Sequence, residues 1–367
     1  MVGAFIVICL YFHFATGGRF LTPRNIFNLT IQTVSVAIMA TGMVFIIVTR
    51  HIDLSVGALL ATCSAVMAMM QTQWLPQTLG LGLGHPLIPW LAILNVAWYL
   101  TSGQTIGPLD PTFRQFGGIN GTLGQTGSWV VGILCTLAAL AALWNARRNK
   151  ARHGFPVKPL WAEGVLAAVI GIAILGFVAI LNAYQVPERV LARNFAARGE
   201  EMPEGFTAAY GLPISVLVLI FVAIGMTLIA RRTRLGRYIF ATGGNPDAAE
   251  LSGINTRLLT VKVFALMGAL CALSAVVASA RLSNHSNDIG TLDELRVIAA
   301  AVIGGTALAG GLGTIHGAIL GALIMQSLQS GMAMVNVDAP LQNIVVGAVL
   351  VAAVLIDIIY RRRTGAK

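Results

Sequence analysis

The sequence predicts an all-α, polytopic integral membrane protein with about 10–11 transmembrane helices, and three observations carry that prediction. Of 367 residues, 56% are hydrophobic and only 10% are charged, where soluble domains carry about 25% charge. Mean hydropathy is +0.80. Apolar stretches separated by polar loops recur from one end of the chain to the other. This composition excludes a disordered chain, a coiled coil and an ordinary soluble enzyme. The 40 glycines suit helices that pack closely in lipid.

Taken in order, the candidate spans are residues 2–15, 31–49, 54–70, 86–101, 128–144, 160–183, 212–230, 261–280, 294–309, 315–334 and 341–359. A hydrocarbon core of about 30 Å takes about 20 apolar residues. The spans 160–183, 212–230, 261–280 and 341–359 meet that length well; 2–15, 86–101 and 294–309 fall short. Met1–Ala15 has no basic start and no small-residue cleavage site, so it reads as a shortened span rather than a signal peptide. Gly304–Gly313 holds five glycines. That is too many for a lipid-facing helix, and the run reads as a broken or re-entrant segment buried in protein. Trp74, Trp90, Trp98, Trp129, Trp144 and Trp161 lie near span ends, where an interfacial belt places them. Residues 1–367 read as one transmembrane domain carrying a loop at 231–260.

Net charge is +10, from 24 basic and 14 acidic residues. The basic residues sit in loops between apolar spans, so the expected partner is the lipid bilayer and not nucleic acid. Loop 145–159 carries Arg147, Arg148, Lys150, Arg152 and Lys158 without an acid, loop 231–260 carries five arginines, and the tail carries Arg361, Arg362, Arg363 and Lys367. The positive-inside rule puts these three, and hence the C-terminus, on the cytoplasmic side. Loops 185–211 and 281–293 are charge-balanced or acidic and fall outside. Counting all eleven spans puts Met1 outside; leaving out 86–101 puts it inside.

Catalytic, cofactor and metal chemistry find no residues here. Cys9, Cys63, Cys135 and Cys271 lie far apart inside apolar segments, without metal-ligand spacing. There is no Gly-Lys pair, hence no phosphate-cradling loop, and no His-Glu-x-x-His or Gly-x-Ser-x-Gly. Asp53, Glu163 and Arg296 sit at span edges and Asp357 toward the end of the last span. An ion-coupled carrier places a carboxylate near the midplane, so an external energy source is expected. The polar residues within the spans are neutral: Gln32, Thr33, Ser35 and Thr41 in one, Gln326, Ser327, Gln329 and Ser330 in another. They suit an uncharged polyhydroxylated solute, or else interhelical hydrogen bonds of about 0.6–2 kcal/mol each. The candidate path is therefore Gln32, Thr33, Thr41 and Gln326, with Asp53 and Ser55 at one junction and Gly304, Gly305 and Thr306 at the Gly-rich break. Asp53 could gate this path, anchor the junction to Arg50, or cap a helix.

The loop at 236–258 is the most informative stretch. Asn245 is a good N-cap and Pro246 fits the first helical position. Asp247 and Glu250 complement the positive helix end. Ala248, Ala249 and Leu251 favour helix, and Gly253 fits the position after its end. A short helix over Pro246–Ser252, about 10 Å long, follows. It is either an ordinary capped loop or a rigid knob that takes force from a cytoplasmic partner.

The segment Thr233–Ile254, with Arg234, Gly236, Gly243, Gly244, Asn245, Ala248, Ala249, Ser252 and Gly253, resembles the coupling loop of bacterial sugar ABC-importer permeases, ribose/xylose branch. Phe20–Asn25, Gly42–Val44, Ile52–Gly57 and Ala301–Gly311 resemble further landmarks of that family, and the extra spans at 128–183 resemble its xylose-type members. The resemblance implies a non-enzymatic permease subunit in a bacterial inner membrane, importing xylose or a similar pentose. It implies a second permease chain (a homodimer), cytoplasmic ATP-binding subunits that dock on the coupling helix, and a periplasmic sugar-binding protein. The sequence departs from the family where a further span is expected after 54–70: Pro89–Leu94 leads directly into Asn95–Tyr99. A missing span would flip the parity, the same point that the charge count leaves open at Met1. A secondary carrier or facilitator, a membrane-embedded enzyme and a non-transporting shortened remnant are the alternatives.

Overall fold

A computed structural model of the chain describes residues 1–80, 85, 105–119, 121–196, 201–203, 205–286 and 288–364. The helices in order are α1 (Val2–Ala15), α2 (Pro23–Val48), α3 (Val56–Leu79), α4 (Gly124–Arg152), α5 (Leu160–Asn182), α6 (Glu188–Ala196), α7 (Ile214–Arg232), α8 (Arg234–Gly244), α9 (Pro246–Leu251), α10 (Thr256–Leu282), α11 (Asp293–Ile303), α12 (Ile315–Met334) and α13 (Ala339–Thr364). Among the described residues, seven helices are long and apolar enough to cross a membrane: α2, α3, α4, α5, α7, α10 and α12. Two more, α1 and the 339–355 part of α13, are apolar but shorter. The expected span 86–101, with Trp90, Trp98 and the departure at 89–95, lies outside the described residues.

Local signals set most helix starts. Pro23 and Pro246 occupy first-turn positions, where a missing N–H costs nothing. Thr233, Asn245, Asn255 and Thr314 each turn a side-chain oxygen onto an N–H two or three residues inside their helix. The expected span 294–309 is corrected: α11 stops at Ile303 after 11 residues, about 16 Å, too short to cross. Residues 304–313 form the predicted break, with Gly305, Gly310 and Gly311 at φ +83°, +87° and +74°.

The chain divides into two compact units, residues 1–121 with 214–367, and residues 122–213. In the first, α2 is the central helix, with 94% of its apolar window buried. It runs antiparallel to α10: Ser35 Oγ lies 2.6 Å from Ser274 Oγ, and Gly42 lies against Met267 and Leu270. Helix α3 meets α10 through Ser64 and Ser279, 2.7 Å apart. Helices α11 and α12 approach through small residues: a Cβ on Gly321 would lie 1.9 Å from the Ala300 carbonyl oxygen. Burial of such bare backbone faces brings dispersion contacts that larger residues would block.

Two helix pairs in this unit are built alike and run in opposite directions. Helix α2 ends, Arg50 takes φ +63°, and α3 begins after an extended stretch. Helix α10 ends, Ser283 takes φ +58°, and α11 begins at Asp293. The second halves touch at Gly57 and Gly290, where a Cβ on either would lie 2.4–2.5 Å from the other's carbonyl oxygen. One end of the unit gathers Val48, Gly243 and Gly311; the other gathers Ser283 and His285, bonded to Leu109 and Ile106. Met1 reaches Gly305, near the first of these ends, while Phe12 covers Gly331 toward the other.

The second unit is an α4–α5 hairpin, with α6 and the 201–213 segment completing it. Only 17% and 11% of the apolar windows of α4 and α5 are buried, as for helices that face lipid. Gly132 packs against Val178, Leu123 N–H donates to the Leu212 carbonyl (3.0 Å), and the Tyr184 and Tyr210 rings lie 4.9 Å apart.

Candidate functional site

The 231–260 loop folds as two helices, of which the second is the one anticipated. Asn245 Oδ1 accepts from Ala248 N–H (3.0 Å) and Ser252 Oγ donates to the Ala248 carbonyl (2.7 Å). Gly253, at φ +83°, donates its N–H to the Glu250 carbonyl (2.9 Å). Helix α9 ends at Leu251, so Ser252 is its C-cap rather than its last residue. The Thr256 hydroxyl bonds the Glu250 carboxylate, tying α9 to the start of α10. Ala249 is buried beneath α9, while Leu251 is 90% exposed. Sequence reasoning took Leu251 only as a helix former; the missed signal is an apolar residue just before a Gly-ended turn in a polar loop.

Behind this knob lies a backbone clamp. Arg50 Nε and Nη2 donate to the carbonyls of Gly243 and Gly244, both at 2.9 Å. Gly311 N–H donates to the Val48 carbonyl at 3.0 Å. Gly243 is bare because a Cβ there would lie 2.0 Å from the Val48 oxygen and 2.7 Å from the Gly311 nitrogen. The clamp joins the end of α2, the end of α8 and the 304–313 break. Anchoring of Asp53 to Arg50 is thereby corrected: the left-handed turn at Arg50 aims its side chain at α8. Asp53, buried, instead accepts from Ser55 N–H (2.8 Å) and Ser55 Oγ (2.6 Å), satisfying donors at the start of α3.

A cavity of about 500 Å³ opens at the opposite end, among α2, α10, the 286–292 segment, α11, α12 and α13. Gln326 Nε2 donates to Gln32 Oε1 across it at 2.9 Å. Both glutamines lie eight or nine residues inside their helices from that end, about 12–14 Å deep. Gln329, Ser330, Gln342 and Asn343 add neutral donors and acceptors. The charged lining is balanced, with Arg281 and Arg296 against Asp288 and Asp293. Arg296 Nη1 meets Asp293 Oδ1 at 2.9 Å. Arg296, expected at a span edge, thus lines the cavity with Asp293: because α11 starts below the rim, its first-turn charges form cavity wall instead of loop surface. No aromatic residue lines the cavity among the described residues. A smaller cavity of about 280 Å³ lies beside it, and Gln32 and Arg281 line both.

The structure thus divides the candidate path. Gln32 and Gln326 meet in the cavity. Thr33 and Thr41 are buried and donate to the carbonyls of Leu29 and Ile38 within α2, both at 2.7 Å, so neither lines the cavity. Asp53 holds Ser55, which occupies the N-cap position of α3 without a side-chain cap bond of its own. Gly304 packs against Gly317, and Gly305 and the buried Thr306 follow it at the break near the clamp. Sequence reasoning named Arg50 only as an anchor for Asp53 and missed its true partners, which lie 193 and 194 residues away. It also missed Gln342 and Asn343, whose signal was an amide pair opening the last apolar span. Among the described residues, no group of His, Cys, Asp and Glu could hold a metal ion.

Residues 25–354 match the family model described as branched-chain amino acid transport system / permease component. The chain is 34% identical to the xylose transport system permease protein XylH of Escherichia coli (strain K12), over 99% of this chain and 92% of that protein. XylH of Haemophilus influenzae is 35% identical over 97% of this chain and 95% of its own length. The ribose import permease protein RbsC of E. coli (strain K12) is 33% identical over 92% and 87%. The match to the E. coli XylH runs over 390 positions against the 367 residues of this chain, so that relative has stretches with no counterpart here. No solved structure matches the chain.

Proposed function

This chain belongs to the branched-chain amino acid transport system / permease component family, in its ribose/xylose branch, and from that premise we propose how it moves a sugar. It is a multi-pass inner-membrane permease subunit of a sugar ABC importer. The solute we propose is xylose or a similar pentose. It enters the cavity at Gln32 and Gln326, where amides and balanced charges offer paired donors and acceptors to neighbouring hydroxyls.

The observation that carries the reading is that one rod joins the two ends. Helix α2 bears Gln32 in the cavity and Val48 in the clamp, 16 residues or about 24 Å apart. Cytoplasmic ATP-binding subunits dock on α9, with the exposed Leu251 as the apolar contact, and supply the energy. ATP binding there draws the coupling helices of two permease chains together, a homodimer in this proposal. The clamp passes that shift to α2 and to the 304–313 break, and the cavity changes the side to which it opens. A periplasmic sugar-binding protein delivers the solute at the cavity end, and the C-terminus lies in the cytoplasm. Gly304, Gly305 and Thr306 take part at the inner end of the path.

The test is Leu251→Asp, which touches no buried group. Co-purification of the ATP-binding subunit and ATP-dependent pentose uptake should both fall at least about 10-fold with membrane insertion unchanged, as for loss of an interface anchor. Unaltered co-purification and uptake would overturn the docking assignment. Uptake that survives ATP depletion would favour a secondary carrier.

A further inference from the structure

Helices α4 and α5 are packed at one end of their hairpin and parted at the other. Toward the far end, Gly132 lies so close to Val178 that a Cβ would approach its Cγ2 to 2.9 Å. At Gly171 the nearest atom, Thr136 Cγ2, is 3.8 Å away, and at Gly164 nothing lies within 4 Å. The parted end encloses a groove of about 580 Å³. Its walls are matching helical stripes: Leu137, Leu140, Ala141 and Trp144 from α4, and Leu160, Gly164 and Ala167 from α5. Residues 147 and 148 continue the α4 stripe one turn on. Arg147 bonds Glu163 (2.7 Å) and the Lys158 carbonyl (2.9 Å) at the groove's head. Arg148, Lys150, Arg152 and Lys158 are exposed there, in no ion pair among the described residues.

We propose that this wedge is a binding site for an anionic phospholipid, with one acyl chain in the groove and the phosphate against Arg148 and Lys158. Two apolar helices surrounded by lipid gain nothing from an empty gap, because its lining forfeits dispersion contacts. The occupant must therefore be apolar along the groove and negative at its head. Five basic residues against Glu163 leave that head strongly positive, and basic pockets of this kind attract lipid phosphates. Trp144 and Trp161, 57% and 74% exposed, set the hairpin's head at headgroup depth. The site uses no residue of the cavity or clamp and stands apart from the transport reading.

The test is native mass spectrometry of the purified full chain, with dioleoylphosphatidylglycerol and dioleoylphosphatidylcholine as probes. The native chain should retain phosphatidylglycerol about 30-fold over phosphatidylcholine, the effect of two surface cations. R148Q/K158Q should lose most of that preference, down to about 3-fold or less. G164L, which has open space for its side chain, should lose both while the melting temperature holds. Equal retention of the two lipids by the native chain, or a phosphatidylglycerol preference that stays above about 3-fold in R148Q/K158Q, would overturn the proposal. So would G164L that still holds lipid, or efficient disulfide linkage of two G164C chains in membranes, which would put a second copy in the groove.

Discussion

Gly243 and Gly244 are adjacent, share a helix end, and should respond oppositely to the same methyl group. Gly244→Ala meets nothing within 4 Å, and it removes backbone freedom from the unfolded chain, a gain of about 0.4–1 kcal/mol. Gly243→Ala sets a Cβ 2.0 Å from one backbone oxygen and 2.7 Å from a backbone nitrogen, where ordinary contact begins near 3.4 Å. Neither atom is the end of a flexible side chain, so α8 must back away from α2 by more than about 1 Å. The new methyl would sit against both atoms of the Gly311 N–H to Val48 bond, and the charged Arg50 fork to Gly243 and Gly244 spans the gap itself. The first is worth about 1 kcal/mol, and the charged one about 1.5–3 kcal/mol at most, less where exposed to water. Net destabilisation of about 1–3 kcal/mol follows after the Ala gain is subtracted. Thermal unfolding in detergent should separate the two variants clearly, and hydrogen exchange should show the Gly311 amide losing protection only in Gly243→Ala. Equal melting temperatures with unchanged Gly311 protection would refute the clamp.

Gln326→Leu removes the donor to Gln32 and leaves one amide oxygen facing the cavity; pentose uptake by the assembled importer should fall roughly 10-fold, near the 1–3 kcal/mol cost of an unmade polar contact, with expression intact. Asp53→Leu strips the acceptor from Ser55 N–H and Oγ and should cost about 1–3 kcal/mol, as for lost hydrogen bonds to a charged group, whereas Asp53→Asn should retain most of it in the same melting assay. Gly321→Ala puts a methyl group 1.9 Å from the Ala300 carbonyl and should lower the melting temperature, while Gly225→Ala, with nothing within 4 Å, should not.

Much of the fold was written in local chemistry. Asn245 and Pro246 announce α9 from four residues, and five glycines announce the break after Ile303, because caps and backbone freedom depend on near neighbours. The spans 160–183 and 315–334 are recovered within a residue, since lipid burial needs only length and apolarity. The candidate site was less legible. Thr33 and Gln32 look equivalent as neutral polar residues of one span. The short threonine hydroxyl returns to its own helix, and only the longer amide reaches across. Arg50 reads as a partner for the nearby Asp53, because its two actual acceptors are backbone carbonyls nearly two hundred residues away that carry no residue code. The likeness of the two broken helix pairs is hidden for the same reason: Arg50 and Ser283 share a backbone angle and nothing else.

The meeting of Gly57 and Gly290 has a mechanical consequence. Main chain rests directly on main chain there, with only the Glu294 carboxylate and a Leu60 methyl beside it, so the second halves of both broken pairs bear on a narrow fulcrum. Small tilts about that point disturb few side chains, and the same nearness makes it an effective place to jam. A single methyl on either glycine is a wedge in the seesaw, whichever arm it is driven in from.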